Sequence, residues 1–143
     1  MAVTATVSNH AKYQLAKGNI DLSADTLKVI LMNTTFTMDE DADATLSDVT
    51  ADQIATGNGY TQDNKTISNQ GVSEDDANDK AAFTCDDVTF TASGGDFPAV
   101  GAYIVYDDTT GDDTVLFCVD FGTDHTVVDG QSLQLQSITI DLS

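Results

Sequence analysis

Apolar and polar residues alternate over much of this 143-residue chain, which is the pattern of half-buried β-strands. The alternation is clearest in residues 100–106 and 115–121, and the polar stretch 107–113 between them predicts a hairpin. Odd and even positions of 100–106 are both apolar, so this strand is expected to be central and buried on both faces. Residues 25–32 begin with clean alternation and end apolar, which predicts another core strand.

Weaker β segments separated by turn residues fill most of the remaining chain, at residues 65–72, 81–85, 88–92, 126–128 and 132–140. Asp129-Gly130 between the last two segments predicts a second hairpin, and a change in the apolar alternation predicts a bulge near Ser137. Roughly eight short strands at this spacing predict an all-β fold, an antiparallel sandwich or jelly-roll-like barrel with one short N-terminal helix.

The helix is predicted between Ser8 and Gly18. Ser8 can accept hydrogen bonds from the first turn, and Gly18 can adopt the left-handed conformation that ends many helices. Within this segment Ala11, Leu15 and Tyr13 are expected to face the body of the protein.

Residues 1–7 are β-prone and precede the helix, so they are interpreted as an N-terminal arm or an edge strand, followed by a single β domain at 8–143. An extended arm can add a strand to the sheet of a partner. The candidate partner-binding residues are therefore Val3, Thr4, Ala5, Thr6 and Val7. The first eight residues lack the pattern of a secretory signal, and no stretch has the apolar length of a membrane span.

Composition narrows the classes of partner. The chain has 22 Asp, 2 Glu, 5 Lys and no Arg, which gives a formal net charge of −19. Asp favours turns, and the 20 Thr favour strands, so the acidity itself supports short strands joined by Asp-rich turns. So strong a negative charge argues against binding to nucleic acid or to an anionic membrane.

Two acidic stretches are candidate calcium sites. Asp39, Asp41 and Asp43 imitate the opening of a calcium loop, but Ala44 and Thr50 stand where the glycine and the bidentate Glu belong. This cluster lies in a polar stretch, residues 38–58, that is expected to be a surface excursion with a turn or two of helix. In the predicted hairpin loop, Asp107, Asp108, Asp112 and Asp113 could gather around a hard cation, although solvated loops are the favoured interpretation.

Catalytic patterns are weak throughout. The only histidines are His10 and His125, and no nucleophile with an orienting acid accompanies them, so the chain is predicted not to be an enzyme. Residues 57–62 begin like a dinucleotide-binding loop but lack its third glycine and are interpreted as a turn. Cys85 and Cys118 could form a disulfide, although two buried thiols are favoured. No catalytic, cofactor-binding or metal-binding residue is assigned.

Charge is distributed unevenly along the chain. Residues 1–38 contain three Lys and two Asp, whereas residues 81–143 contain eleven Asp and no Lys or Arg. This asymmetry suggests a near-neutral docking end and an acidic, solvated end, although chance accounts for it equally well.

Short structural motifs follow one another along nearly the whole chain, at residues 9–22, 25–31, 59–61, 86–90, 101–106 and 129–130. This succession resembles small structural proteins encoded in the virion modules of tailed bacteriophages. Within that group, a 15.1 kDa acidic β-protein is similar to capsid cement (decoration) proteins.

The resemblance implies a jelly-roll-like body that binds the outer surface of the major capsid protein as a dimer or trimer. It also implies synthesis in the host cytoplasm and a location on the outer capsid surface of the virion. A tail, neck or fibre-base protein is the first alternative. A surface β domain stabilised by calcium is the second, and it would need an export signal.

Overall fold

The computed structural model describes residues 4–142, which form ten β-strands and two α-helices. Helix α1 is Asn9–Lys17, and helix α2 is Leu46–Val49, followed by a 3₁₀ turn at Thr50–Asp52. The strands, in chain order from β1 to β10, are Thr4–Val7, Leu27–Met32, Lys65–Thr66, Gly71–Asp75, Lys80–Thr84, Val88–Thr91, Val100–Asp107, Val115–His125, Ser132–Leu135 and Thr139–Leu142.

Helix α1 forms where its capping residues predict it. The Ser8 hydroxyl accepts a hydrogen bond from the Ala11 main-chain N–H at 3.0 Å, and Gly18 ends the helix with φ of 78°. Ala11 is buried and Leu15 partly buried, as expected. The prediction that Tyr13 faces the body is wrong, because its side chain is 54% exposed. Residues two positions apart on a helix point to different sides, so Tyr13 cannot share the face of Ala11 and Leu15.

The strands form an antiparallel sandwich, which confirms the predicted all-β fold with a short N-terminal helix. The largest sheet has the strand order β1-β8-β7-β2-β3, so β7 lies at its centre as the apolar pattern predicts. A three-stranded sheet, β10-β5-β4, and a two-stranded sheet, β6-β9, complete the fold. The predicted hairpin of β7 and β8 is also confirmed.

Apolar side chains cover both faces of the five-stranded sheet. The main core lies on one face and includes Leu27, Val105 and Phe117 together with Phe83 and Ile140 from the three-stranded sheet. A smaller cluster on the opposite face packs beneath α2, and it contains Ile30, Met32, Phe36, Val49, Ala102, Ile104, Tyr106, Val115 and Cys118. Burial on two faces explains why β2 and β7 are apolar at nearly every position.

Two predicted strands are divided by residues with positive φ. The segment predicted as one strand at 65–72 forms β3 and β4 in different sheets, with Asn69 at φ of 53° between them. Ser137, also at φ of 53°, separates β9 from β10, so the change in apolar alternation marks the passage between two sheets and not a bulge.

The hairpin predicted around Asp129-Gly130 is wrong. Strand β8 continues to His125, residues 126–131 are not strand, and β9 pairs with β6. The turn itself is present, because the Gln131 N–H donates to the Val128 carbonyl at 2.8 Å. A local turn signal therefore located the bend but not the partner of the strand that follows it.

The Gly57–Tyr60 segment forms the predicted turn, closed by mutual main-chain hydrogen bonds of 2.8 and 3.0 Å. At Gly59, with φ of 93°, an added Cβ would lie 2.5 Å from the Thr91 carbonyl oxygen, so the glycine serves close backbone packing. The turn places the buried Tyr60 hydroxyl between the Leu31 N–H and the Gln53 side chain, each at 3.0 Å.

Candidate docking surface

Strand β1 forms an edge of the five-stranded sheet. It pairs with β8 of its own chain, from Thr4 opposite Asp120 to Val7 opposite Phe117, and within residues 4–142 it has no second neighbour. Of the candidate partner-binding residues, Ala5 is exposed and Thr6 and Val7 are partly buried. Thr4 is placed by its backbone pairing, and Val3 lies outside the described residues.

The free edge of β1 presents main-chain groups in a defined alternation. The Ser8 N–H continues the ladder by donating to the Leu116 carbonyl at 3.1 Å. In an antiparallel pair, hydrogen-bonded and non-hydrogen-bonded positions alternate, so Thr6 also faces β8 whereas Ala5 and Val7 direct their N–H and C=O groups outward. An extended segment of a partner can pair with these outward groups.

A groove lined mainly by apolar residues runs along this edge. Three depressions all include Ala5 and lie between β1 and the C-terminal segment, and one of them also borders α1. The depression beside α1 has a volume of about 720 Å³. It is lined by Ala5, Thr6, Val7, Lys12, Leu15, Ala16, Glu40, Asp141 and Leu142.

A second free edge faces the same groove. Strand β10 pairs with β5 on one side, and among the described strands it has no neighbour on the other. Its residues Thr139, Ile140 and Asp141 line the same depression as Ala5 and Val7. The free edges of the two sheets therefore border the same depression.

Helix α1 also carries an exposed aromatic side chain, that of Tyr13. The Lys17 ammonium donates to the Tyr13 hydroxyl at 3.1 Å and lies 5.0 Å from the centre of its ring. His10 stacks on the same tyrosine with ring centres 6.1 Å apart. Exposed tyrosine held in one orientation is typical of protein interfaces.

Negative charge surrounds the N-terminus of α1, although the first 38 residues are nearly neutral in sequence. The Asn9 side chain donates to Asp41, and its main-chain N–H donates to the Glu40 carbonyl at 3.0 Å. His10 lies 2.8 Å from an Asp112 carboxylate oxygen. The near-neutral segment is thus bordered by acidic loops, and its separation from them along the chain is not a separation in space.

The candidate calcium residues use their oxygens within the protein. Asp39 accepts hydrogen bonds from the Asp41 and Ala42 N–H groups at 2.9 and 3.1 Å. Asp43 accepts one from the Asp39 N–H at 2.8 Å. These contacts close a local turn, as Asp commonly does.

Three of the four hairpin-loop carboxylates have different surroundings. Asp107 is buried, Asp108 pairs with Lys28 at 3.1 Å, and Asp112 contacts His10. Across residues 4–142, no three His, Cys, Asp or Glu side chains are close enough to share a metal ion.

The two cysteines are free thiols in separate apolar environments. Cys118 belongs to the cluster beneath α2, whereas Cys85 packs against the main core. Burial, together with nearby aspartates, raises the pKa of Cys85 to about 11 and that of Cys118 to about 12. Both thiols are therefore protonated near neutral pH, which makes them poor nucleophiles and poor metal ligands.

Several groove residues could not be identified from the sequence. Leu15 was expected only as a core residue, and Lys12, Ala16 and Leu142 carried no signal of a site. Leu142 is far from β1 along the chain and reaches the groove only because β10 crosses to the three-stranded sheet.

The β1 edge and its groove can offer main-chain hydrogen bonds and apolar contacts to a partner. Within the described part of the chain, no helix is long and apolar enough to cross a bilayer. Comparisons with protein-family models, with curated proteins and with solved structures find nothing that matches this chain.

Proposed function

We propose that the chain is a non-enzymatic structural protein of a tailed-bacteriophage virion, a capsid cement protein that binds the outer surface of the major capsid protein. It is made in the host cytoplasm and joins the shell as a homodimer or homotrimer. The observation that carries the docking part of this proposal is the unpaired outer edge of β1 beside the groove lined by Ala5, Val7 and Leu15. The resemblance of the sequence motifs to virion-module proteins supports the class.

The edge supports binding to an extended segment of a capsid subunit. Such a segment would pair with the outward main-chain groups at Ala5 and Val7 and place alternate side chains in the groove. Binding that spans two capsomers adds buried area across their seam, which raises the free energy needed to separate them.

The charge supports an external location. A protein with a net charge of −19 is repelled by packaged DNA and stays soluble before assembly. Acidic loops, such as the one at 107–113, would remain in water while the β1 edge is covered. The same charge disfavours partners rich in phosphate.

Cryo-electron microscopy of particles produced from the genome that encodes the chain tests the location. The proposal predicts density for this fold repeated over the capsid lattice, with β1 toward the shell. Density confined to the tail, neck or fibre base contradicts the cement assignment and supports the first alternative. Particles without the chain contradict both.

Substitutions at one position test the docking edge. Ala5→Pro removes an outward N–H and is expected to weaken binding to particles lacking the chain by about tenfold or more. Ala5→Ser keeps the N–H and a small side chain, so it is the matched control and should bind as the unsubstituted chain does. Equal occupancy of all three proteins, measured by co-sedimentation, contradicts docking through this edge.

A further inference from the structure

The Asp107 carboxyl group is buried at the end of β7, where the 107–113 loop begins. The residue is fully buried, at 0% relative exposure. Its Oδ1 accepts hydrogen bonds from the Thr109 and Thr110 N–H groups at 2.8 and 3.3 Å. Its Oδ2 is buried without a hydrogen-bond partner among the described residues. An ionised carboxylate with one oxygen left in this way costs free energy.

A second carboxyl group approaches Asp107 from the turn before β2. The Asp108 N–H donates to the Thr26 carbonyl, and the Thr26 N–H donates to the Thr109 hydroxyl, each at 2.8 Å, so Asp25 lies beside the start of the 107–113 loop. The Asp25 Oδ2 accepts from the Asp21 N–H at 2.9 Å. The Asp25 main-chain oxygen also accepts from the Gln70 side chain at 2.7 Å. Asp25 is therefore held in position by two neighbouring segments.

The other charged groups of the adjoining elements are engaged elsewhere. Lys28 on β2 pairs with Asp108 at 3.1 Å, and Asp21 accepts hydrogen bonds from Ser23. Asp112 contacts His10 and Thr114. Within residues 4–142, Asp25 is the ionisable side chain that raises the pKa of Asp107.

We propose that Asp107 and Asp25 share one proton, taken up from water, so that neutral Asp107 donates through its Oδ2 to the Asp25 carboxylate. This hydrogen bond satisfies the buried oxygen and fastens the 107–113 loop to the turn at 21–26. Ca²⁺ takes six to eight oxygen ligands, and two carboxyl groups supply too few of them. A proton between the two groups therefore explains the buried oxygen better than a bound Ca²⁺ does. The pair is then a pH-sensitive lock at one end of the sandwich.

The direction of the pH dependence follows from the Asp107 environment. Burial, and next the Asp25 carboxyl, raise the pKa of Asp107 from 3.8 to about 6. The folded chain therefore binds this proton more tightly than the unfolded chain does. The stabilisation is complete below the unfolded value and is lost as the pH rises through the folded value.

Thermal unfolding between about pH 4.5 and pH 8 tests the lock. Asp107→Asn mimics the protonated group, since its amide can donate to Asp25 while its oxygen accepts from the loop. The difference in melting temperature between Asp107→Asn and the unsubstituted chain should become more favourable to the variant, by about 3 °C or more, from the acidic to the alkaline end of this range. Asp76→Asn removes one exposed charge and is the control for general repulsion; its relative shift should be clearly smaller.

A second measurement uses the unsubstituted chain and so does not require any variant to fold. Carbon NMR of the aspartate carboxyl groups in the unsubstituted chain should show Asp107 titrating at higher pH than the exposed aspartates. Titration of Asp107 together with them overturns the proposal, as does an Asp107→Asn shift no larger than that of Asp76→Asn. Stabilisation by millimolar Ca²⁺ at alkaline pH that Asp107→Asn abolishes also overturns it, because a cation then occupies the pair.

Discussion

The Ser8 side chain makes one hydrogen bond within its own helix and one to a residue far away in the sequence. Its hydroxyl caps α1 and donates to the Val115 carbonyl at 2.6 Å, across 107 positions of sequence. Its N–H extends the β1–β8 ladder, and the residue is fully buried. One serine thus fixes the helix against the strand that supports the candidate docking edge.

Replacing Ser8 by Ala is expected to lower the free energy of unfolding by about 1–3 kcal/mol. The substitution removes the cap and leaves the Val115 carbonyl without that donor. Chemical denaturation measures the loss, with Ser73→Ala on an exposed strand position as the control. A Ser8→Ala chain as stable as that control would show that neither hydrogen bond contributes.

The capping role of Ser8 could be predicted because it depends on residues within one turn of the helix. Its bond to Val115 could not, since no local pattern specifies which distant carbonyl approaches. Asp107 shows the same limit. The sequence marks an acidic hairpin loop, but the burial of Asp107 and the approach of Asp25 depend on how β2 and β7 are aligned.

Strand β1 is the element on which the functional proposal depends. Its prediction as an arm or an edge strand left open whether it pairs within the chain, and in the structure it does so through all four residues. Alternation along the strand separates positions that support the fold from positions that face outward. Stability and docking can therefore be changed independently.

Proline substitutions at adjacent positions of β1 test this separation. Thr6→Pro removes a ladder N–H and is expected to lower the free energy of unfolding by about 2 kcal/mol more than Ala5→Pro does. Equilibrium denaturation of the two proteins gives the difference. A larger loss for Ala5→Pro would mean that the ladder alternates in the opposite sense, and equal losses would mean that the two positions do not differ in their role.

Strand identity was predictable wherever apolar residues repeat at every second position, as in β7 and β8. Which strands pair with each other was less predictable from the sequence. The segments around Asn69 and Ser137 continue a plausible β pattern across residues that turn the chain into another sheet. Asparagine adopts positive φ more readily than most residues, so Asn69 carries some local signal, whereas serine does so rarely and the break at Ser137 carries little.

Aspartate dominates the electrostatics of the whole molecule. With 24 acidic residues against 5 lysines, the folded chain repels itself, and few ion pairs offset this. The described ion pairs of lysine are Lys28–Asp108 and Lys80–Asp141. Raising the ionic strength shortens the range of the repulsion.

The melting temperature is therefore expected to rise by several degrees between about 0.02 and 0.5 M NaCl. Calorimetry at constant pH measures the change, and choline chloride at equal ionic strength distinguishes screening from specific sodium binding. A melting temperature that is unchanged or falls with salt would show that self-repulsion does not limit stability.

The copy number of the chain in purified virus particles tests the central claim most directly. A cement protein occupies equivalent sites over the whole capsid lattice, so quantitative mass spectrometry should find it in a fixed ratio to the major capsid protein, near one copy per capsid subunit or per capsomer vertex. A handful of copies per particle, as expected of a neck or tail component, or no copies at all, would contradict the account.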